Sequence, residues 1–531
     1  MKKYLLSVCT VVVALGTMLL TSCSDADQAK EMGLTKVLSP TNLKAVSNQM
    51  EPSITVSWDA MSNAESYVLE AYVEDPTFSG TPAVQVETTA TSYEMTDLLG
   101  ETEYNIRVKG IAEGLEESRW STIARATAAE QILSAPYNKI EEKSITLEWP
   151  VNKTIDKLQV FQGELLVQTI TSGLGNGTYT VTGLTGGTNY TFVVSMTGKQ
   201  RGKISQTTEI GEPTADYTLD ASVITSTYSM GNLLKDAATQ AALDGKTNYT
   251  VLVKIPAGQT VPFVSIKEED SSIDNTTLPD GMSVYFYGDK ENMPTLDFSG
   301  KMLYVNGTHN VVAFQKVKLV GTGYLLNQNK ACDVTNLSFE LCDISGFTGN
   351  TFVRTQSTAD VKITNINVKK CLISDCGNNY SIFDLRKATV QSVVIENSTI
   401  YNSATNGKCL IQRDNNLTVL RIVNTTLYNI CGNAQYFIDF GGTGYGADSF
   451  IFENVLMGKS ADDNTGKVIR ASAAPTVSNT YCTNDWYKSF AGVELIDVEA
   501  SAVFADPENG DFTVKPAYQE LGAGDPRWLG E

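Results

Sequence analysis

Five strand-like segments in the C-terminal half of the chain begin at Phe339, Val368, Ile395, Ile422 and Phe452, at intervals of 29, 27, 27 and 30 residues. Three positions on, the residues are Cys342, Cys371, Ser398, Thr425 and Val455; five positions on, they are Ile344, Ile373, Ile400, Leu427 and Met457. A near-constant period with like residues in like places marks a repeat architecture. One coil cannot bury its apolar face alone, so coils stack and align equivalent side chains into columns. The columns predict parallel strands, with Cys342 beside Cys371. They also place Asn402 and Asn429 in one column, as a ladder that satisfies backbone groups at a turn.

The N-terminal half carries a different rhythm. Ile54-Thr55-Val56-Ser57-Trp58 alternates apolar and polar residues, as a half-buried strand does. Tyr67–Tyr72 and Tyr104–Val108 follow as further strands, with Leu98 and Thr102 ahead of Tyr104. Leu184, Thr188 and Tyr190 repeat that spacing after a second Trp strand, Ile145–Trp149. Leu, Thr and Tyr in this order resemble the tyrosine corner of fibronectin type III domains. Trp58 and Trp149 read as core residues, because their strands alternate inward.

Past Pro213 an amphipathic helix, Asn232–Leu243, precedes Val251–Ile255 and Pro256-Ala257-Gly258. A short helix before a first strand ending in Pro-x-Gly resembles the capped entry of a pectate-lyase-like parallel β-helix. The C-terminal Phe504–Val514 and Gly522-Ala523-Gly524-Asp525-Pro526-Arg527-Trp528 resemble endings of β-helix polysaccharidases and of Bacteroidetes-type polysaccharide-utilisation lipoproteins. The expected fold is all-β: two fibronectin type III-like β-sandwiches, then a right-handed parallel β-helix with an N-terminal capping helix.

The first residues carry an address. Lys2 and Lys3 precede an apolar run of about 17 residues, Tyr4–Leu20, and then Thr21-Ser22-Cys23. The run is marginal for spanning about 30 Å of hydrocarbon. With Cys at the cut it resembles a lipoprotein signal, which implies lipidation of Cys23. Ser24-Asp25-Ala26-Asp27 resembles the acidic export signal of surface lipoproteins, which implies an outer-membrane protein facing the cell exterior. The expected divisions are a signal over 1–22, a tether over 23–37, sandwiches over 38–129 and 130–212, and the β-helix over 213–531.

Composition narrows the chemistry. The 531 residues carry a net charge of −20, or −22 without Lys2 and Lys3, which argues against nucleic acid as a partner. Apart from Cys9 and Cys23, the seven cysteines Cys332, Cys342, Cys371, Cys376, Cys409, Cys431 and Cys482 are an odd number without a CxxC pair. Small buried hydrophobes within a stack are the reading for Cys342 and Cys371, with a disulfide left open. The one histidine, His309, would be the sole base of any Ser-His-Asp triad.

Arg386, Arg413 and Arg470 each lie 18 residues after the start of their repeat, and Arg354 lies 15 after Phe339. A column of guanidinium groups at steps of about 4.8 Å would suit the carboxylates of an acidic polysaccharide. The competing reading pairs each Arg with Asp384, Asp414 or Asp439 as a structural row. Trp486, flanked by Asn484, Asp485 and Lys488, is a candidate sugar platform, whereas Tyr401 and Tyr428 read as packing. Lys199, Arg201 and Lys203 read as a solvated hairpin. No catalytic residue, metal ligand or cofactor is identified; were the chain a polysaccharide lyase, resemblance to uronate lyases implies calcium. The expected function is surface glycan binding, of an acidic, uronate-containing polymer such as pectin, with an outer-membrane glycan transporter as partner. A uronate lyase and a structural or adhesive surface protein are the alternatives.

Overall fold

The computed structural model describes residues 35–530 except 49–50, 349–350, 356–359, 378–379, 407–408 and 433–434. Cys23, the leader and most of the tether lie outside the described residues. Contacts divide the chain into two units. One holds the chain up to Leu133 with Trp149–Gly177 and Thr191–Ser205; the other holds Ser134–Glu148, Thr178–Tyr190 and everything from Gln206 onward.

In the first unit, Lys44–Ser47, Ile54–Ser57 and Ser92–Met95 form a three-stranded antiparallel sheet. Ser66–Val73, Val84–Thr88, Glu103–Ile111 and Ser121–Ala126 form a four-stranded one. Trp58 is buried and meets Tyr67 edge to face at 5.3 Å, so the core reading of this Trp holds. The Tyr104 hydroxyl accepts a hydrogen bond from the Leu99 amide at 2.9 Å. Thr127 accepts from the Thr102 amide and donates to the Leu99 carbonyl. The second unit repeats this cage atom for atom: Tyr190 accepts from the Thr185 amide at 3.0 Å, and Thr208 links Thr188 and Thr185. Each cage satisfies backbone groups of a buried connection that water cannot reach.

The hairpin at Lys199–Lys203 differs from its expectation. Arg201 is buried and forks onto Glu130 through two bonds of 2.8 and 2.9 Å, with a third to the Thr154 carbonyl. Lys199 pairs with Glu74. Lys203 is exposed, as expected, whereas Arg201 and Lys199 meet partners about 70 or more residues away in sequence, which local spacing does not reveal.

The second unit contains a parallel β-solenoid, whose sheets have ten, ten and eight strands. The helix Met230–Leu243 starts at a capping box, in which Ser229 and Asn232 exchange backbone and side-chain bonds. Its buried face, Met230, Leu233, Leu234, Ala237 and Ala241, joins the solenoid core. Phe339, Val368, Ile395, Ile422 and Phe452 occupy one register column of the first sheet, as the period required. The column continues to Phe314 and Phe286, whose rings stack at 4.9 Å, and on to Val477. These outer coils escaped the sequence period because their spacing drifts. Residues Ile344, Ile373, Ile400, Leu427 and Met457 form the matching column of the second sheet. All seven described cysteines are buried free thiols.

The corner between these sheets takes one left-handed residue in each of seven successive coils. That place falls to Lys316, Leu341, Lys370, Asn397, Asn424, Asn454 and Asn479, with φ between 43° and 56°. Asparagine tolerates this region better than other side chains. Its amides also stack: Asn424 donates to Asn397, Asn454 to Asn424 and Asn479 to Asn454, at 2.8, 2.8 and 2.9 Å. The expected pair exists as a second ladder, Asn429 donating to Asn402 at 2.8 Å. Asn424 lies in the middle of the longer ladder, so Asn424→Ala loses bonds on both sides and strains φ, costing about 2 kcal/mol. Urea unfolding should show Asn424→Gly recovering the backbone part of that loss and Ala recovering none.

Candidate functional site

Two regions of the solenoid gather charged side chains. The first lies on the third sheet, where Arg354, Asp384, Gln412, Asp439 and Arg470 share one register column. The expected column of arginines is therefore an alternation of arginine and aspartate, with Gln412 at its centre. Arg386 falls two residues past Asp384 and Arg413 one past Gln412. The coils spend different numbers of residues between the first and third sheets, so equal sequence offsets do not become equal heights.

Asp384 is fully buried and anchors two guanidinium groups. Arg386 holds it through two bonds of 2.8 Å, while Arg354 Nε stands 3.6 Å away. Arg354 also donates to the Tyr324 hydroxyl at 2.9 Å and lies over the Tyr380 ring at 4.4 Å. Arg470 repeats the arrangement farther along, forking onto Asp439 at 2.7 and 2.8 Å and lying over Tyr436 at 4.8 Å. Hydrogen bonding to these carboxylates holds the Arg386 and Arg470 guanidinium groups above their ordinary pKa. Forked pairs of this kind fix both position and plane. Arg354, Arg386, Arg470 and the three tyrosines are all half-exposed.

Arg413 does not belong with them. It is 1% exposed and donates to the carbonyls of Leu385, Ala388, Val390 and Asn416 at 3.0–3.2 Å. Burial pushes its pKa down to about 10. It ties off the ends of the turns around it and offers no surface to a polymer. Trp486 is likewise a correction: it is 3% exposed and meets Phe437 edge to face at 5.4 Å. Its polar neighbours misled, because they stitch the coil from inside. Lys488 is fully buried on Asp462, and Asp485 accepts from Thr483 and the Ala500 amide. Tyr401 and Tyr428 pack on Phe512, as read. His309 is buried with both ring nitrogens against the carbonyls of Met282 and Asn306.

The second region was not found from the sequence. A cavity of about 570 Å³ is lined by Tyr137, Glu209, Lys290, Asp343, Lys370 and Arg527, among others, all within the second unit. Lys290 is paired, at 2.9 Å from Glu209 and 3.7 Å from Glu141. Burial pushes the Lys370 ammonium down and the Asp343 carboxyl up. Behind the wall lies Asp525, completely buried. It accepts from Thr399 at 2.8 Å and pairs with Arg527 at 2.9 Å, while its amide donates to Thr426. Trp528 donates to the same Thr399 hydroxyl. The Asp-Pro-Arg-Trp ending is thus a clamp on two successive coils. Perturbed charges collected in one cavity are a functional-site signature. Their sequence positions, 137, 209, 290, 343, 370 and 527, share no motif, although Arg527 stands in the recognised C-terminal ending. Among the described residues, no group of three or more Asp, Glu, His or Cys is set to hold a metal ion.

Comparison with known proteins fits the architecture. The fibronectin type III domain model matches residues 38–127, and these residues form such a domain. A domain of unknown function, DUF5123, matches residues 420–528, ending at the Trp528 clamp. Tenascin-N of Homo sapiens is 27% identical over 270 residues, covering 48% of this chain and 20% of that protein. Tenascin-N of Mus musculus is 25% identical over 269 residues, covering 48% and 16%. The chain therefore spans about a fifth or less of the length of these relatives. A two fibronectin type III domain segment from chicken tenascin aligns at 21% identity and a TM-score of 0.24, over 32% of this chain and 97% of that one.

Burial raises the Asp525 pKa from 3.8 to about 6 despite Arg527. The folded protein therefore holds this proton more tightly than the unfolded chain does. Stability from this group is present below pH 4 and is lost as pH rises through 6, by up to about 3 kcal/mol. Thermal melts of wild type and Asp525→Asn between pH 4 and pH 7 should show the difference between them changing across that window.

Proposed function

We propose that this protein is a surface-displayed binding protein that holds an acidic polysaccharide on its solenoid, with the β-sandwich modules as its spacer. The observation that carries this reading is the pair of matching clusters on the third sheet, Arg354–Arg386–Tyr380 on Asp384 and Arg470–Tyr436 on Asp439. In the first, Arg386 is locked in plane and Arg354 lies over the Tyr380 ring; in the second, Arg470 does both. A planar fork meets carboxylates in two parallel bonds, and a ring gives a flat apolar surface for a sugar face. The two buried carboxylates stand two strand steps apart, about 10 Å along the stack. An extended polymer can reach both clusters, and two weak contacts on one chain multiply.

Lipid attachment at Cys23, display at the outer membrane and delivery to a glycan transporter are parts of the same proposal. They draw on the leader, on the acidic residues after Cys23 and on the modular plan. Adhesion to another protein is the second reading, and the fibronectin type III domain favours it.

Polygalacturonate cast into native gels tests the proposal. The wild-type protein should be retarded, and Arg386→Ala together with Arg470→Ala should weaken retention at least tenfold. Equal retardation of wild type and double variant would remove the clusters from the account. A rise in ultraviolet absorbance from unsaturated sugar during the incubation would instead make the protein a lyase.

A further inference from the structure

The cavity beside Tyr137 brings together charged side chains that lack a short ion pair among the described residues. Lys290 has two carboxylates, yet Lys370, which lines the same wall, has none within 4.0 Å among the described residues. Its ammonium lies over the Tyr137 ring at 5.4 Å. Asp343 also lines the cavity, and no cation approaches its carboxylate within 4.0 Å among the described residues. Arg527 Nε stands 2.9 Å from Asp525, and the same residue lines the cavity. Unpaired charges at partly buried positions are costly. Here Asp343 sits on a sheet strand and Lys370 on a left-handed corner, and the opposite charges that act on them, Arg527 and Lys318 on Asp343 and Glu209 and Glu340 on Lys370, stay beyond ion-pair distance among the described residues.

The position of Lys370 sharpens the point. It occupies the corner place that the two preceding coils give to Lys316 and Leu341 and the next four to Asn397, Asn424, Asn454 and Asn479. An asparagine there would extend the ladder by one bond. Lysine instead forgoes that bond, bears φ of 54° and extends its ammonium over Tyr137.

We propose that this cavity binds a small hydroxylated carboxylate, of the size of one or two sugar units. Its carboxylate is taken by Lys370 and Arg527, a hydroxyl donates to Asp343, and its apolar face lies on Tyr137 and Leu341. A volume of about 570 Å³ suits such a ligand. The charges the framework leaves unmatched are then matched by one molecule carrying both an anion and donors. The inference deepens the acidic-glycan reading by giving it a terminal or short-oligomer site separate from the third sheet.

The probe is D-galacturonate, with galactose and acetate as controls, titrated calorimetrically into the purified protein. Galacturonate should bind and raise Tm, while galactose and acetate should each bind at least tenfold more weakly. Lys370→Met should weaken galacturonate at least tenfold while raising the Tm of the ligand-free protein, since it removes an unpaired charge and leaves the stem on Tyr137. A lysine with a purely structural role would lower that Tm when replaced. Arg527→Gln disturbs the Asp525 clamp, so Asp343→Asn, which leaves the clamp alone, serves as the second variant and should weaken binding at least fivefold. No galacturonate binding by the wild-type protein, or equal binding by Lys370→Met and Asp343→Asn, would overturn the proposal. Polymer retardation that survives either result keeps the third-sheet reading. Galacturonate binding that depends on Lys370 without polymer retardation keeps only this site.

Discussion

Each coil of the solenoid exposes an apolar strip that it can cover only with the next coil. Burial of Phe286, Phe314, Phe339, Val368, Ile395, Ile422 and Phe452 in one column therefore fixes the height of every strand at once. A slip of one residue would turn each of these side chains to the outer face. The corner residues obey the same constraint, because the chain must turn at one place in every coil to keep the columns in line. Left-handed φ at seven successive corners is its backbone expression, and the asparagine ladder satisfies the polar groups that the stack shuts away from water.

Charge is distributed according to how far each group lies from that stack. Arg413 lies deep enough that only backbone carbonyls reach it, and it stays charged by collecting five hydrogen bonds. Arg386 and Arg470 sit at the rim, each clasping one aspartate, so their planes are fixed while an edge stays near solvent. Lys370 and Asp343 follow neither pattern. These two share one cavity.

In the sandwich region the same economy of backbone satisfaction appears twice. The Thr-Tyr cage around Leu99 and Thr102 recurs around Thr185 and Thr188, with equivalent donors and acceptors. The Leu, Thr and Tyr spacing was readable in sequence because all three act within one short connection. The partner threonines, Thr127 and Thr208, were not, since they come from a later strand. Arg201 failed for the same reason: its counter-charge, Glu130, is near in space and remote in sequence.

The sequence by itself determined the class of the fold. Period, columns and corner asparagines are consequences of stacking, and stacking forces equivalent residues to recur at equal spacing. Tertiary structure alone decided which charged residues meet. Arg354, Arg386, Arg413 and Arg470 look alike in the repeat, yet loops that differ by one or two residues bury one and leave three beside aspartates. Trp486 sits among polar residues in the chain and against Phe437 in the solenoid core. Tyr137, Asp343, Lys370 and Arg527 come from four distant segments, and only the closed fold brings them to one wall. Periodicity records what each coil shares with its neighbours, and a site is built from what one coil does differently.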